Sequence, residues 1–253
     1  MKKFLRWALF AVIALVVLMF AGAWMLGIKR HADASPEAIA ALAPGDDVAV
    51  EQGRYLVFRP LRAAEKMGVI FYPGAYVDVR GYATTLRPVA AAGYRVVIVP
   101  MPLDMAIFGL NRALAVQAAY PDVHRWVLMG HSLGGAMAAT LASWHPQAFA
   151  GVVIWDSYPT AAASLANYPQ PVWHVHRATS DGRPPAAFAA RRNLFPANSQ
   201  WRPIPGGIHM YFGSFDGGGY REDWAPAISR ATEQRLVVAA TLQALDSIAS
   251  PTH

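Results

Sequence analysis

Gly130-His131-Ser132-Leu133-Gly134-Gly135 is the stretch on which the reading of the chain turns. Before it stands Arg125-Trp126-Val127-Leu128-Met129, a short apolar run of buried-strand type. After it, Ala136 to Trp144 is rich in alanine and reads as helix. A serine at a strand-to-helix turn, flanked by glycines, has the pattern G-x-S-x-G. So sharp a turn requires neighbours without bulk, and it leaves the serine hydroxyl projecting from the top of a sheet. The helix starts at the serine, which brings free N–H groups and the positive end of its dipole to the reacting centre. A chance G-x-S-x-G in an ordinary loop would lack the strand before it and the helix after it.

The 253 residues suffice for one large domain with a sizeable core. There is no cysteine, so neither disulfides nor a thiolate zinc site is available. The formal charge of +6 is unevenly placed. Lys2, Lys3, Arg6, Lys29 and Arg30 precede every acidic residue, and from residue 31 onward 17 basic residues face 16 acidic ones. A body so close to neutral gives no sign of a nucleic-acid partner.

From Trp7 to Ile28 there are 22 residues without a charge. As a helix they would extend about 33 Å, against roughly 30 Å of bilayer hydrocarbon. Trp7 and Trp24 lie near the two ends, where an interfacial aromatic belt would place them. Ala21-Gly22-Ala23 resembles a cleavage site, but the apolar run continues past it to Lys29-Arg30, as an uncleaved signal anchor would. The expected organisation is a cytoplasmic N-terminus (1–6), a transmembrane helix (7–28), a spacer (29–47) and a catalytic domain (48–253). The slight basic excess at the N-terminal flank puts that domain outside the cytoplasm, on the periplasmic side in a bacterium. In the spacer, Ser35-Pro36-Glu37 offers an N-cap, a proline at the first helical position and an acid in the first turn.

The body alternates. Val48–Val50 and Tyr55–Phe58 suggest an opening hairpin, and Met67–Tyr72, Tyr94–Val99, Trp126–Met129, Gly151–Trp155, Pro171–His176 and Trp201–Ile204 read as strands. Tyr82–Ala92, Asp104–Ala119, Ser132–Trp144 and Thr232–Ser247 read as helices. Such alternation calls for an α/β fold with a mostly parallel sheet, helices on both faces, and ligands at the carboxyl ends of the strands. Only about fifteen residues join the strands ending at Trp155 and starting at Pro171, which leaves room for a minimal lid or none.

Several motifs in this order resemble the α/β-hydrolase fold, and in particular its small serine hydrolases of the fold-5 type. They are Phe71-Tyr72-Pro73-Gly74-Ala75-Tyr76-Val77-Asp78, Met101-Pro102-Leu103, the elbow at Ser132, Ser180-Asp181-Gly182 and Gly206-Gly207-Ile208-His209. The resemblance covers about four-fifths of the chain. It implies a Ser-His-Asp mechanism without cofactor or metal more strongly than it implies a substrate. One departure is Ile208, where similar proteins often carry Asn before the histidine.

A serine hydroxyl becomes a nucleophile only when a base takes its proton, and the base needs an orienting carboxylate. In this fold the chain order is serine, acid, histidine. His209, after a strand and two glycines, is the expected base. Asp181, in a loop after the strand Pro171–His176 and followed by Gly182, is the expected acid. Asp156, at the carboxyl end of the preceding strand, is the alternative, or else a helix cap or turn residue. The oxyanion donors expected are the amides of Leu133 and of Ala75 in the Pro73-Gly74 loop. Tyr76, Tyr158, Tyr211 and Phe212 are expected to wall the substrate pocket, which favours apolar or aromatic groups. His174-x-His176 puts two imidazoles on one strand face without a third ligand at matching spacing, so both read as structural. Gly217-Gly218-Gly219 reads as a flexible loop bordering the site rather than a phosphate cradle.

The resulting expectation is a membrane-anchored serine hydrolase that cleaves small-molecule carboxylic esters. An acyltransferase or amide hydrolase on the same triad is the nearest alternative. A non-catalytic membrane scaffold that keeps the fold is the more distant one.

Overall fold

The structure, a computed structural model, describes residues 6–7, 10–15, 18, 22, 25 and 31–250. The expected transmembrane helix at 7–28 falls largely outside these residues. Among the described residues no helix is long and apolar enough to cross a membrane.

From His31 onward the strands are β1 (Ala32–Ala34), β2 (Val48–Gln52), β3 (Leu56–Pro60), β4 (Met67–Tyr72) and β5 (Tyr94–Ile98). They continue as β6 (Trp126–His131), β7 (Gly151–Trp155), β8 (Val172–Ala178), β9 (Gln200–Pro205) and β10 (Phe215–Gly217). The helices are α1 (Pro36–Ala40), α2 (Ala83–Ala91), α3 (Arg112–Ala119), α4 (Leu133–Trp144), α5 (Ala186–Ala189) and α6 (Arg230–Ala249). Eight strands form one sheet in the order β2-β3-β5-β4-β6-β7-β8-β9. β2 and β3 run antiparallel to their neighbours, and the six strands from β5 to β9 pair in parallel. Every residue of β4, β6 and β7 is buried. Those strands read as unbroken apolar runs because helices cover both of their faces.

Two apolar layers sandwich the sheet. Val69, Phe71, Val96, Met129 and Val153 face α2 and α6, while Ile70, Val97, Leu128, Val152 and Ile154 face α3 and α4. Burying each such side chain contributes about 1.5–3 kcal/mol relative to exposure.

Two segments differ from the sequence reading. Residues 104–119 are not one helix. Two 3₁₀ turns, Pro102–Asp104 and Ala106–Gly109, precede α3. Leu103 and Asp104 have positive φ and Met105 is extended, so no continuous i→i−4 ladder can form there. The supposed spacer is also part of the fold. β1 pairs antiparallel with β10, Ala32 and Ala38 are fully buried, and Ser35 Oγ donates to Ser214 Oγ at 2.8 Å. Packing thus begins at residue 32 rather than 48. The expected cap is present: Ser35 Oγ accepts from Ala38 N–H ahead of Pro36.

The link from β7 to β8 carries only the 3₁₀ turn Ala161–Ala163 and no lid. Instead, the link from β8 to β9 holds α5 and a 3₁₀ turn at Arg192–Leu194.

Candidate active site

Ser132 sits between β6 and α4 with φ 53° and ψ −125°, a conformation that non-glycine residues rarely adopt. Its amide is anchored to the Trp155 carbonyl at 3.1 Å. The turn closes so tightly that a Cβ on Gly134 would overlap the carbonyl oxygens of Tyr72 and Pro73, and one on Gly130 would overlap the Gly134 backbone. Glycine at both positions is therefore a steric requirement of the elbow.

His209 lies at the start of a 3₁₀ turn after β9, and its Nε2 is 2.9 Å from Ser132 Oγ. Its Nδ1 is 2.5 Å from Asp156 Oδ2. Asp156 follows β7 directly, with φ 44° and its amide bonded to the Val175 carbonyl. The carboxylate is fully buried. Burial alone would raise its pKa, but the hydrogen bond and charge of His209, with the charge of Arg177, outweigh that and hold it below the ordinary carboxylate range.

Asp181, the expected acid, is elsewhere. Its carboxylate is 56% exposed, paired with Arg183 at 2.7 Å and with the Thr179 hydroxyl. A turn closed by Thr179 and Arg183 directs this loop to solvent, and the carboxylate that lies against His209 Nδ1 is that of Asp156 instead.

Several residues around the imidazole went unnoticed in the sequence. Arg177, on β8, bonds Asp156 through both its backbone N–H and its guanidinium, and its Nη1 is 3.4 Å from His209 Nδ1. Its Nη2 pairs with Asp223 at 2.6 Å. Tyr220 lies on the imidazole with ring centroids 4.1 Å apart and planes 21° from parallel. Glu222 accepts from the amides of both His209 and Met210 at 2.9 and 2.8 Å, and Glu233 accepts from Ile208 N–H at 2.9 Å. Two carboxylates thus clamp the turn that carries the histidine. Glu233 Oε1 has no partner among the described residues, and burial pushes the Glu233 carboxyl up to about 8.

On the other side, Gly74 N–H donates to the Tyr82 hydroxyl, which lies 2.8 Å from His131 Nδ1. Burial, then the neighbouring charge of His209, depresses the His131 pKa well below the ordinary range. The neutral ring accepts at Nδ1 from Tyr82 O–H and stacks on Phe212. Gly74 and Tyr76 both have bonded amides, to Tyr82 Oη and the Asp104 carbonyl. Between them the Ala75 amide has no partner among the described residues. Leu133, the first residue of α4, likewise has no intrahelical acceptor for its amide.

Two cavities meet at Ser132 and His209. The larger, about 740 Å³, is bordered by Tyr158, Phe188, Arg177, Asp223 and Trp224. The smaller, about 220 Å³, is bordered by Ala32, Ala75, Tyr76, Met210 and Gly219. Tyr220 borders both. Of the four aromatic residues expected as walls, Tyr76 and Tyr158 line cavities. Phe212 is wholly buried beneath His131, and Tyr211 lies against Arg230, so neither lines these two cavities. Gly217 ends β10, and Gly218 and Gly219 lead into Tyr220 and border the small cavity, as the run's place in the sequence suggested.

Among the described residues, His131, Asp156 and His209 present possible metal-ligand atoms within 4.8 Å of one another. A cation there would compete for the atoms that already join His209 to Asp156 and Ser132 and His131 to Tyr82. His174 and His176 pack among Phe188, Phe195 and Trp201, and burial lowers the pKa of both.

Residues 68–235, well over half of the chain, match the alpha/beta hydrolase family. The chain belongs to that family. Solved structures share the fold. TT1662 from Thermus thermophilus is 15% identical and superposes with a TM-score of 0.55 over 81% of this chain and 99% of its own. Est1E from Butyrivibrio proteoclasticus, solved with ferulic acid bound, is 13% identical, with a TM-score of 0.55 over 79% of this chain and 97% of its own. Likeness at such identity shows a common fold only. A curated relative from Mycobacterium phage D29, provisionally described as a non-heme haloperoxidase, is 26% identical over 98 residues. That match spans about a third of this hydrolase-family chain and about a third of the relative.

Proposed function

We propose that this α/β-hydrolase is a serine esterase that cleaves small carboxylic esters and is held at a membrane by its N-terminal segment. The observation that carries the reading is the continuous hydrogen-bond chain Ser132–His209–Asp156 at a strained elbow. Ser132 Oγ attacks the ester carbonyl as its proton passes to His209 Nε2. Asp156, and not Asp181, holds the imidazole in the tautomer with hydrogen on Nδ1 and stabilises the imidazolium. The free amides of Leu133 and Ala75 meet the negative charge that develops on the carbonyl oxygen. The alcohol leaves with the proton from His209. Water, giving a proton to the same nitrogen, then attacks the acyl-enzyme, releasing the carboxylic acid and restoring Ser132.

A non-catalytic scaffold would have no use for a strained serine bonded to a buried base, since such strain persists only where the surroundings enforce it. The membrane assignment rests on the uncharged run Trp7–Ile28 bounded by Lys29-Arg30, with the domain on the extracytoplasmic side.

The test is hydrolysis of a p-nitrophenyl ester series by the full chain, wild type against Ser132→Ala. The esterase reading predicts turnover in the wild type and its loss, by a factor on the order of 10³ or more, in the variant. Equal activity in both would refute it. Resistance of the full chain to alkaline extraction from membranes tests the anchor separately.

A further inference from the structure

We propose that the active-site mouth faces a lipid bilayer and that the small cavity takes its ester from the lipid phase. Three observations lead there.

The first is where the chain joins the domain. Ala32, the first residue of β1, lines the small cavity, gives its N–H to the Tyr76 carbonyl and takes the Asp78 N–H on its own carbonyl. Only four residue steps separate Ile28, the end of the uncharged run, from Ala32. Fully extended, four residues reach about 14 Å at most. A domain of this size is about 45 Å across. An anchor that ends at Ile28 therefore holds the carboxyl-end face of the sheet near the bilayer and cannot present the opposite face.

The second is what that face exposes. From His31 onward eight large apolar side chains are exposed among the described residues. Three of them, Leu103, Ile107 and Phe108, fall within six consecutive positions of the loop that holds Tyr76 in the small cavity's wall, and a fourth, Tyr220, lies on His209 between the two cavities. Concentration of exposed apolar side chains at one place marks an interaction surface rather than ordinary scatter. Leu103 is held outward in a left-handed backbone conformation that leucine rarely adopts.

The third ties the two together. The loop that carries Leu103 gives the Asp104 carbonyl to Tyr76 N–H, in the wall of the small cavity. Its Asp104 carboxylate lies 3.7 Å from His31 Nε2, on the chain just before β1. The turn Ala106–Gly109 packs on α4, the helix that begins at Ser132. Cavity wall, arriving chain and apolar loop are thus one continuous edge. Asp33 and Asp104 there lie against His31 and Asp78 pairs with Arg80, so these groups, among the described residues, bring no surplus of basic side chains to the edge. The attachment is apolar, and the substrate it fits is an ester dissolved in the bilayer, such as a lipid acyl ester.

This inference rests on the anchored-esterase reading, and its test separates the two. The chain has no cysteine, so single introduced cysteines report one position each. Full-length Ile107→Cys and Phe108→Cys proteins, carrying a fluorophore, are reconstituted in phosphatidylcholine vesicles. Gln147→Cys, exposed near the amino end of β7, is the control on the opposite face. The expected result is quenching by nitroxide-bearing lipid at 107 and 108 and none at 147. Protein that resists alkaline extraction yet shows no quenching at 107 or 108 overturns the inference and leaves the anchor standing. Protein that is extracted removes the anchor and the inference together.

The activity arm compares a long-chain ester held in vesicles with a soluble short-chain ester. Leu103→Ser/Ile107→Ser/Phe108→Ser is expected to lower the vesicle-to-soluble activity ratio by tenfold or more. An unchanged ratio overturns the inference, while loss of the wild-type activity on both esters would instead strike the esterase reading.

Discussion

Replacing Asp156 by Asn keeps the side-chain size and removes the charge behind His209. The carboxylate stands 2.5 Å from Nδ1 and the Arg177 guanidinium 3.4 Å from the same atom. At an effective dielectric of about 20, an imidazolium at Nδ1 gains roughly 6–7 kcal/mol from that carboxylate and loses roughly 5 kcal/mol to the guanidinium. The substitution removes the attraction and leaves the repulsion. Relaxation and water recover part of this, and the same change in a serine-protease triad costs about 10⁴ in kcat. The expected loss in kcat is therefore on the order of 10³ to 10⁴, or about 4–5.5 kcal/mol of activation free energy. Asp181→Asn touches only exposed contacts with Arg183 and the Thr179 hydroxyl, so kcat/KM should stay within about twofold. The assay is initial-rate hydrolysis of a p-nitrophenyl ester by full-length protein, with circular dichroism showing that each variant is folded. A folded Asp156→Asn protein keeping more than a tenth of wild-type kcat would refute the assignment, as would a folded Asp181→Asn protein losing more than tenfold.

Three further outcomes follow from the surroundings of the imidazole. Arg177→Gln removes the guanidinium that holds the Asp156 carboxylate, so kcat in a folded variant should fall by about tenfold or more; an unchanged kcat would refute a positioning role for that side chain. Tyr220→Ala joins the two cavities across His209, so the preference for bulky over acetyl esters should rise several-fold, measured as a ratio of kcat/KM values. Glu233 takes up a proton on folding because burial lifts its carboxyl to about 8. Its stability contribution is present below the ordinary glutamate range and is lost as pH rises towards 8. Glu233→Gln should therefore raise the melting temperature at pH 9 by the equivalent of a few kcal/mol at most and leave it nearly unchanged at pH 4, with an equal change at both pH values contradicting the burial argument.

The strands that build the sheet were legible because burial on both faces leaves an unbroken apolar run, as in Met67–Tyr72 and Gly151–Trp155. The elbow was legible because so few residues fit its turn. The acid was harder. Asp156 and Asp181 both follow a strand and precede His209, so chain order cannot separate them. What separates them is distance from the strand end. Asp156 comes directly after β7, while Asp181 lies three residues beyond β8 in a turn directed to solvent. One sequence signal pointed to the answer: Arg177 stands in an otherwise uncharged buried strand, and a buried guanidinium requires a counter-charge nearby. In register β7 lies beside β8, so Asp156 is its nearest neighbour of opposite sign.

The pocket walls failed for a different reason. Tyr211 and Phe212 follow His209 in sequence, but the 3₁₀ turn rotates successive side chains away from one another. Tyr220 reaches the site from a loop eleven residues on, and no periodicity announces that. The pairing of β1 with β10 joins two three-residue strands far apart in the chain, too short for any local pattern to mark.

The most direct measurement is the mass of the active-site peptide after treatment of the full chain with a fluorophosphonate. The account predicts a single adduct on Ser132, absent from Ser132→Ala and strongly slowed in His209→Ala and Asp156→Asn. An adduct on another residue, or labelling of Ser132 that is indifferent to His209, would contradict it.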